Sequence, residues 1–229
     1  MTLAQAIATY DRDGALAEAA DALASTRRGV LGLAAGAALE LLVWTPDASA
    51  RGGDDEDDEQ DDAIVNYVLA LEYLQAAFYT EAERLGALRG AFAEQARVVG
   101  AHERAHVVAL RKVLGSSAIK SPAFDFHGVT ENQDAFRRTA VAFEDLSVAA
   151  YKYQAPRIHS SSYLMAAVAI TSVEARHAAW IRYLAGALPA ASAFDQALPP
   201  KRVDALVAST RFVVGSPQTA AHRAPGFTG

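Results

Sequence analysis

The amino-acid sequence predicts an all-α protein whose main domain is a four-helix bundle with one long crossover connection. Alanine, leucine and glutamate are abundant in the middle of the chain, and glycine and proline fall mainly between stretches with helical apolar periodicity. Runs of alternating β-branched residues, which would indicate strands, do not occur in the sequence. With 229 residues and 52% hydrophobic content, the chain can bury one sizeable core.

Four long helices are predicted between residues 63 and 188, the span of the bundle, because apolar residues recur there with helical spacing. Glycines stop the first two helices, at Gly86 and Gly115, and prolines stop the last two, at Pro156 and Pro189. The predicted helices cover residues 63–85, 90–114, 133–154 and 163–188.

The connection between the second and third predicted helices, residues 116–132, is longer than usual inside a compact domain. Thr130, three places before Gln133, predicts a capping box that opens the third helix. The serines at 160–162 predict a cap for the fourth helix. Short, long and short connections are typical of a four-helix bundle with one crossover.

Residues 189–229 follow the bundle and are predicted to form a short helix and a tail. Residues 200–212 predict a short fifth helix. The tail from Gly215 onward carries no apolar periodicity, and we predict no regular structure for it.

An acidic stretch, residues 51–62, holds eight of the 27 acidic side chains. This charge density predicts a disordered, self-repelling linker. From Ala63 onward the chain has 13 acids against 17 Lys and Arg, so the folded body is mildly basic although the whole chain carries a formal charge of -6. The basic residues are scattered without a base-stacking motif, so no nucleic-acid partner is predicted.

The first 50 residues predict an export signal. Arg27 and Arg28 directly precede an apolar run at 30–43, and Ala48 and Ala50 then form a small-x-small cleavage site. This pattern resembles a twin-arginine signal, which implies transport by the twin-arginine machinery to the periplasm or extracellular space. The apolar run is too short for a permanent membrane anchor, because a spanning helix needs about 20 residues. The alternative is an amphipathic or buried N-terminal helix that happens to carry two arginines.

The chain contains no cysteine, which excludes disulfides, thiolate metal sites and thiol catalysis. Any metal ion must therefore be held by carboxylate and imidazole groups. Neither a Ser/His/Asp catalytic arrangement nor a phosphate-binding glycine loop is supported by the sequence.

Six ionisable residues lie on the apolar faces of the predicted helices. Residues three, four and seven apart share a helix face, and Glu72, for example, has Val68 and Ala76 beside it. Ionised carboxylates in an apolar core need compensation, and no Lys or Arg lies on these faces. Two divalent cations would supply the missing positive charge. The six residues are Glu72, Glu103, His106, Glu144, Glu174 and His177.

This pattern is duplicated within the chain. Each half contributes one lone glutamate and one Glu-x-x-His motif, whose spacing of three puts both side chains on one helix face. The lone glutamate and the tyrosine that follows it recur in the second half, and the Glu-x-x-His motif recurs there at nearly the same offset along the chain. The paired positions are Glu72 and Glu144, Tyr79 and Tyr151, Glu103 and Glu174, and His106 and His177.

These residues resemble the ferritin-like superfamily of di-iron and di-manganese carboxylate proteins, over about residues 62–188. Residues 66–79 are similar to the family that includes plant desiccation-related proteins. The resemblance implies two iron or two manganese ions as cofactors. It implies lone carboxylate ligands at Glu72 and Glu144, bridging carboxylates at Glu103 and Glu174, and terminal imidazoles at His106 and His177.

A rival motif overlaps the first Glu-x-x-His. His102, Glu103 and His106 match the H-E-x-x-H zinc-hydrolase pattern, with Glu103 as general base and a downstream residue such as Glu144 as a third ligand. The second half of the duplication has Val173 where His102 stands. The duplication therefore favours the dinuclear interpretation and leaves His102 as an extra residue, behind a ligand or at the surface.

A simpler alternative is that the core carboxylates pair with buried tyrosines and histidines. Tyr79 and Tyr151 are interpreted as core aromatics that lie near the site. The three remaining histidines, His127, His159 and His222, have no partners at ligand spacing and are predicted to be solvated.

Three functions follow from these patterns. The first is an exported redox protein of stress protection, in which a dinuclear iron or manganese centre reacts with dioxygen or peroxide in ferroxidase- or catalase-like chemistry. The second is a non-catalytic desiccation or stress protein with incidental metal, and the third is the zinc hydrolase. All three are compatible with a homo-oligomer.

Overall fold

The computed structural model describes residues 55–214, and their regular structure is helical apart from one isolated β-bridge. The prediction of an all-α fold is confirmed. The predicted signal at 1–50, residues 51–54 of the acidic stretch and the tail from Gly215 onward lie outside the described residues. The helices are α1 (Asp55–Leu85), α2 (Ala91–Leu114), α3 (Gln133–Gln154), α4 (Ser161–Leu184) and α5 (Pro200–Thr210).

The first four helices pack as two pairs. Helix α1 packs along α2 and α3 along α4, and the pairs meet through contacts of α2 with α4 and of α1 with α3. This is the predicted bundle with one crossover. Within residues 55–214, no helix is both long enough and apolar enough to span a bilayer.

Helices α1 and α2 approach each other closely at Gly100. A Cβ atom placed there would lie 2.9 Å from the Cβ of Tyr79, a distance that real Cβ atoms essentially never show. Because only glycine permits this approach, Gly100 determines how deeply α2 lies against the turn of α1 that carries Tyr79.

The acidic stretch does not behave as a linker where it is described. Helix α1 begins at Asp55, so the prediction of disorder is wrong for residues 55–62. Asp61 is 1% exposed, and its carboxylate accepts backbone N–H bonds from His159 and Ser160 at 2.9 and 2.6 Å. Acidic side chains also interact favourably with the start of a helix. Charge density predicted repulsion. It could not show that Asp61 accepts hydrogen bonds from backbone N–H groups that are distant in the sequence.

The start of α3 differs from the predicted capping box. Asn132 is the N-cap, and its Oδ1 accepts the N–H of Ala135 at 2.9 Å. Thr130 instead donates its hydroxyl to Oε1 of Glu81 at 2.7 Å, while Oε1 of Gln133 accepts the N–H of Arg89. The side chains of Thr130 and Gln133, which were predicted to form the capping box, therefore connect the crossover and α3 to the first helix pair by hydrogen bonds.

The boundaries of α4 were partly predicted. Ser160 caps the helix as expected, because its hydroxyl accepts the N–H of Tyr163 at 3.4 Å. The helix ends at Leu184, earlier than the predicted residue 188. Gly186, with φ of 76°, takes the left-handed conformation that stops helices, so this glycine and not Pro189 ends α4.

The crossover is anchored by an aromatic cluster and by residues that follow α5. Phe124 forms an antiparallel bridge with Val213, and the N–H of Asp125 donates to the carbonyl of Phe212 at 2.8 Å. Phe126 of the connection packs edge-on against Phe78, whose ring stacks on Phe136 with centroids 5.0 Å apart. The long connection is therefore packed onto one end of the bundle.

We expect Asp61→Ala to lower the free energy of unfolding by about 1–3 kcal/mol, because it leaves two backbone N–H groups without their buried acceptor. Urea unfolding of the purified protein measures the change. The matched control is Glu59→Ala, which removes an exposed acid from the same part of α1 and should have a clearly smaller effect. Equal effects of the two variants would contradict the structural role assigned to Asp61.

Candidate metal centre

The six predicted residues come together in the interior of the bundle. Helices α1 and α3 each contribute a lone glutamate, and α2 and α4 each contribute a Glu-x-x-His motif. All four glutamates are fully buried, and the two histidines are 9% and 3% exposed. The residues, in the order of the helices, are Glu72, Glu103, His106, Glu144, Glu174 and His177.

Their ligand atoms form two clusters of four. Within each cluster, one oxygen or ring nitrogen from every residue lies within 4.8 Å of the others. Glu103 and Glu174 belong to both clusters, which is the arrangement expected of bridging carboxylates. Glu72 and His106 complete the first cluster, and Glu144 and His177 complete the second.

Each histidine points its Nδ1 atom at three carboxylates. His106 Nδ1 lies 3.0 Å from Glu174, 3.3 Å from Glu72 and 3.6 Å from Glu103. The nearest carboxylate to His106 is therefore the one in the motif of the other half.

His177 repeats this arrangement in the second cluster. Its Nδ1 atom lies 3.0 Å from Glu103, 3.5 Å from Glu144 and 3.7 Å from Glu174. Here too the nearest carboxylate comes from the other half, so the sequence duplication gives the site an approximate two-fold symmetry.

Two tyrosines orient the lone glutamates by the same symmetry. Tyr79 donates its hydroxyl to Oε1 of Glu144 at 2.5 Å, and Tyr151 donates to Oε1 of Glu72 at 2.6 Å. Each bond joins one half of the duplication to the other. Because one oxygen of each lone glutamate is held this way, the second oxygen turns toward the histidines.

The alternative of carboxylates paired with tyrosines and histidines accounts for only part of the site. Both oxygens of Glu103 and of Glu174 are buried, as are Oε2 of Glu144 and Nδ1 of His177, and the close contacts of these atoms lack the geometry of hydrogen bonds. Buried polar atoms in folded proteins almost always have partners. Carboxylate oxygens and an imidazole nitrogen that converge without hydrogen-bond geometry fit the ligand atoms of a metal centre instead.

The charges also fit two divalent cations. Four carboxylates carry a charge of about -4 when ionised, and two divalent cations bring about +4. Among the described residues, no Lys or Arg forms an ion pair with any of the four glutamates. The residues present therefore fit the pair of metal ions that the ligand pattern implies.

Burial makes three of the carboxylates, those of Glu72, Glu144 and Glu174, hard to ionise in the metal-free protein. Burial, and then the charge of Glu103, raise the pKa of Glu72 to about 7. Burial likewise raises the pKa of Glu144 and of Glu174. A cation placed among these groups would reverse this effect, because an opposite charge favours the ionised form.

The histidines respond in the opposite direction. Burial alone would lower the pKa of His106, but contacts with Glu103 and the neighbouring carboxylates raise it to about 12. The same balance raises the pKa of His177 to about 10. In metal-free protein the imidazolium groups thus compensate the carboxylates, and metal binding at Nδ1 must release protons.

His102 lies outside both clusters, behind His177. Its Nδ1 is 2.9 Å from His177 Nε2, and the two ring planes are inclined by 19° with centroids 5.1 Å apart. Partial burial of its ring, and then the charges of His177 and His106, lower the pKa of His102. A zinc site of the H-E-x-x-H type needs His102 and His106 on one ion, and this geometry does not bring their nitrogens together in either cluster.

Gln95 is a site neighbour that the sequence did not single out. It is buried in α2, and its Nε2 donates to the hydroxyl of Tyr79 at 3.4 Å. Gln95 lies two helical turns before Glu103 on the same helix face, and this spacing could have indicated that it lies near the site.

The other described histidines take no part in the centre. His127 and His159 lie in exposed connections beside Asp125 and Asp61, in accord with the prediction that they are solvated. His222 lies outside the described residues.

Comparison with known proteins identifies the family. A family model described as a ferritin-like domain matches residues 60–187, which is more than half of the chain and includes all six residues of the two clusters. A comparison with curated proteins finds no match. The helical bundle, the paired Glu-x-x-His motifs and the family match agree, and the chain belongs to the ferritin-like domain family.

Proposed function

We propose that this chain is an exported ferritin-like protein that holds two iron or two manganese ions and reacts with dioxygen or peroxide in stress protection. The observation that carries the proposal is the pair of clusters that share Glu103 and Glu174. Two clusters with common carboxylates favour a dinuclear centre over two independent metal sites.

The two clusters indicate which residues would hold each metal ion. Glu72 and His106 would hold one ion, and Glu144 and His177 the other. A pair of iron or manganese ions would supply the electrons that dioxygen or peroxide accepts. A ligand set of four carboxylates and two imidazoles accepts either metal.

The surrounding residues keep the ligands in place. Hydrogen bonds from Tyr79 and Tyr151 fix the lone carboxylates, so these side chains need little reorganisation when a cation binds. Burial excludes bulk water and strengthens the attraction between carboxylates and cations. Ferroxidase- and catalase-like reactions are both compatible with such a site.

Metal analysis of the purified protein tests the centre itself. We expect about two iron or manganese ions per chain, since each cluster offers one set of ligands. Glu103→Gln should remove both ions because both clusters use this carboxylate, whereas Glu72→Gln should weaken mainly one.

The exposed Glu94 on α2 offers a control, and Glu94→Gln should leave the metal content unchanged. Far-UV circular dichroism confirms that each variant folds. A protein without metal would contradict the proposal and favour a structural stress protein. One zinc ion that depends on His102 would favour the hydrolase.

The redox proposal predicts rapid oxidation of bound iron. When anaerobic Fe(II)-loaded protein is mixed with dioxygen or peroxide, ferric absorbance should rise faster than with the same iron in buffer. Glu103→Gln protein should behave like buffer, because it lacks the shared carboxylate. If bound iron oxidises no faster than free iron, the centre is not a redox site of this kind.

Export is proposed from the sequence of residues 1–50. Twin-arginine substrates often cross the membrane already folded with a cofactor in place, which suits a metalloprotein without cysteine. Replacement of Arg27 and Arg28 by lysine should retain the protein inside cells, and N-terminal sequencing of the exported wild-type protein should begin at Arg51. Export that is unaffected by both replacements would contradict the proposal.

A further inference from the structure

The two imidazoles of the centre have different surroundings on their outer edges. His177 directs Nδ1 at the carboxylates, and its Nε2 lies 2.9 Å from Nδ1 of His102. A neutral imidazole that offers the lone pair of Nδ1 to a cation carries its hydrogen on Nε2. His177 can therefore donate this hydrogen to His102, whose own hydrogen then lies on Nε2.

His106 has no such partner. Among residues 55–214, its Nε2 takes part in no hydrogen bond, and its side chain is 11% exposed against 4% for His177. His106 and His177 are corresponding residues of the two halves. At the same offset along the chain, the residue that corresponds to His102 is Val173. Valine cannot accept a hydrogen bond, so the duplication preserves the ligands but not the residue behind them.

On the basis of the proposed dinuclear function, we propose that His102 is a positioning residue that makes the two metal positions unequal. By holding the tautomer and ring orientation of His177, it strengthens the position formed with Glu144 relative to the one formed by Glu72 and His106. Loss of a partner of this kind typically weakens metal affinity about 10–100-fold.

The location of His102 makes it suitable for substitution. It is an exposed residue of α2, and neither ligand cluster includes it. A change at this position can therefore alter the outer contact of His177 without removing a ligand or a core side chain.

The test is a calorimetric titration of metal-free protein with Mn(II). The wild-type protein should bind two ions with distinct dissociation constants. Glu144→Gln should abolish the tighter event and Glu72→Gln the weaker one, which assigns each event to a cluster.

His102→Val, which copies the residue found in the other half, should weaken only the tighter event, by about 10–100-fold. His102→Asn should retain the wild-type constants, because its side-chain oxygen can accept the same hydrogen bond. The reciprocal change, Val173→His, should tighten the weaker event by supplying His106 with an acceptor.

The outcomes separate this inference from the proposed function. Two bound ions whose constants are unchanged in His102→Val would overturn the role of His102 and leave the dinuclear centre intact. Assignment of the tighter event to Glu72 would also overturn it. A wild-type protein that binds no Mn(II) would overturn the centre and this inference together.

Discussion

The structure depends on four carboxylates buried in one core without an internal Lys or Arg to pair with them. Each ionised group would cost several kcal/mol in such surroundings unless it is compensated. Within the described residues, protonated histidines provide part of this compensation, and divalent cations would provide it fully. The stability of the bundle and its capacity for metal are therefore two aspects of the same electrostatic problem.

The remaining architecture serves to hold these groups in a fixed arrangement. Gly100 allows α1 and α2 to approach each other closely beside Tyr79. The stacked rings of Phe78 and Phe136 join α1 to α3. The hydroxyl of Tyr79 then reaches Glu144 across the bundle. Packing thus determines the orientation of the lone carboxylates before any cation is bound, which reduces the reorganisation that binding requires.

Sequence reasoning succeeded where the evidence was periodic. Glu72 and Glu174 could be assigned to the core because their neighbours at helical spacing are apolar, and both side chains are fully buried. It failed where the partner is distant in sequence. The acceptor role of Asp61 depends on N–H groups 98 and 99 residues away, and the contact of His102 depends on a ring in another helix. Local composition does not predict contacts between residues that are distant in the sequence.

We propose that two metal ions share Glu103 and Glu174, the two carboxylates that belong to both ligand clusters. Electron paramagnetic resonance of protein loaded with two equivalents of Mn(II) tests it directly, because carboxylates that bridge two manganese ions couple their spins. We expect the spectrum of an exchange-coupled pair. The six-line spectrum of isolated Mn(II), at full occupancy, would contradict it.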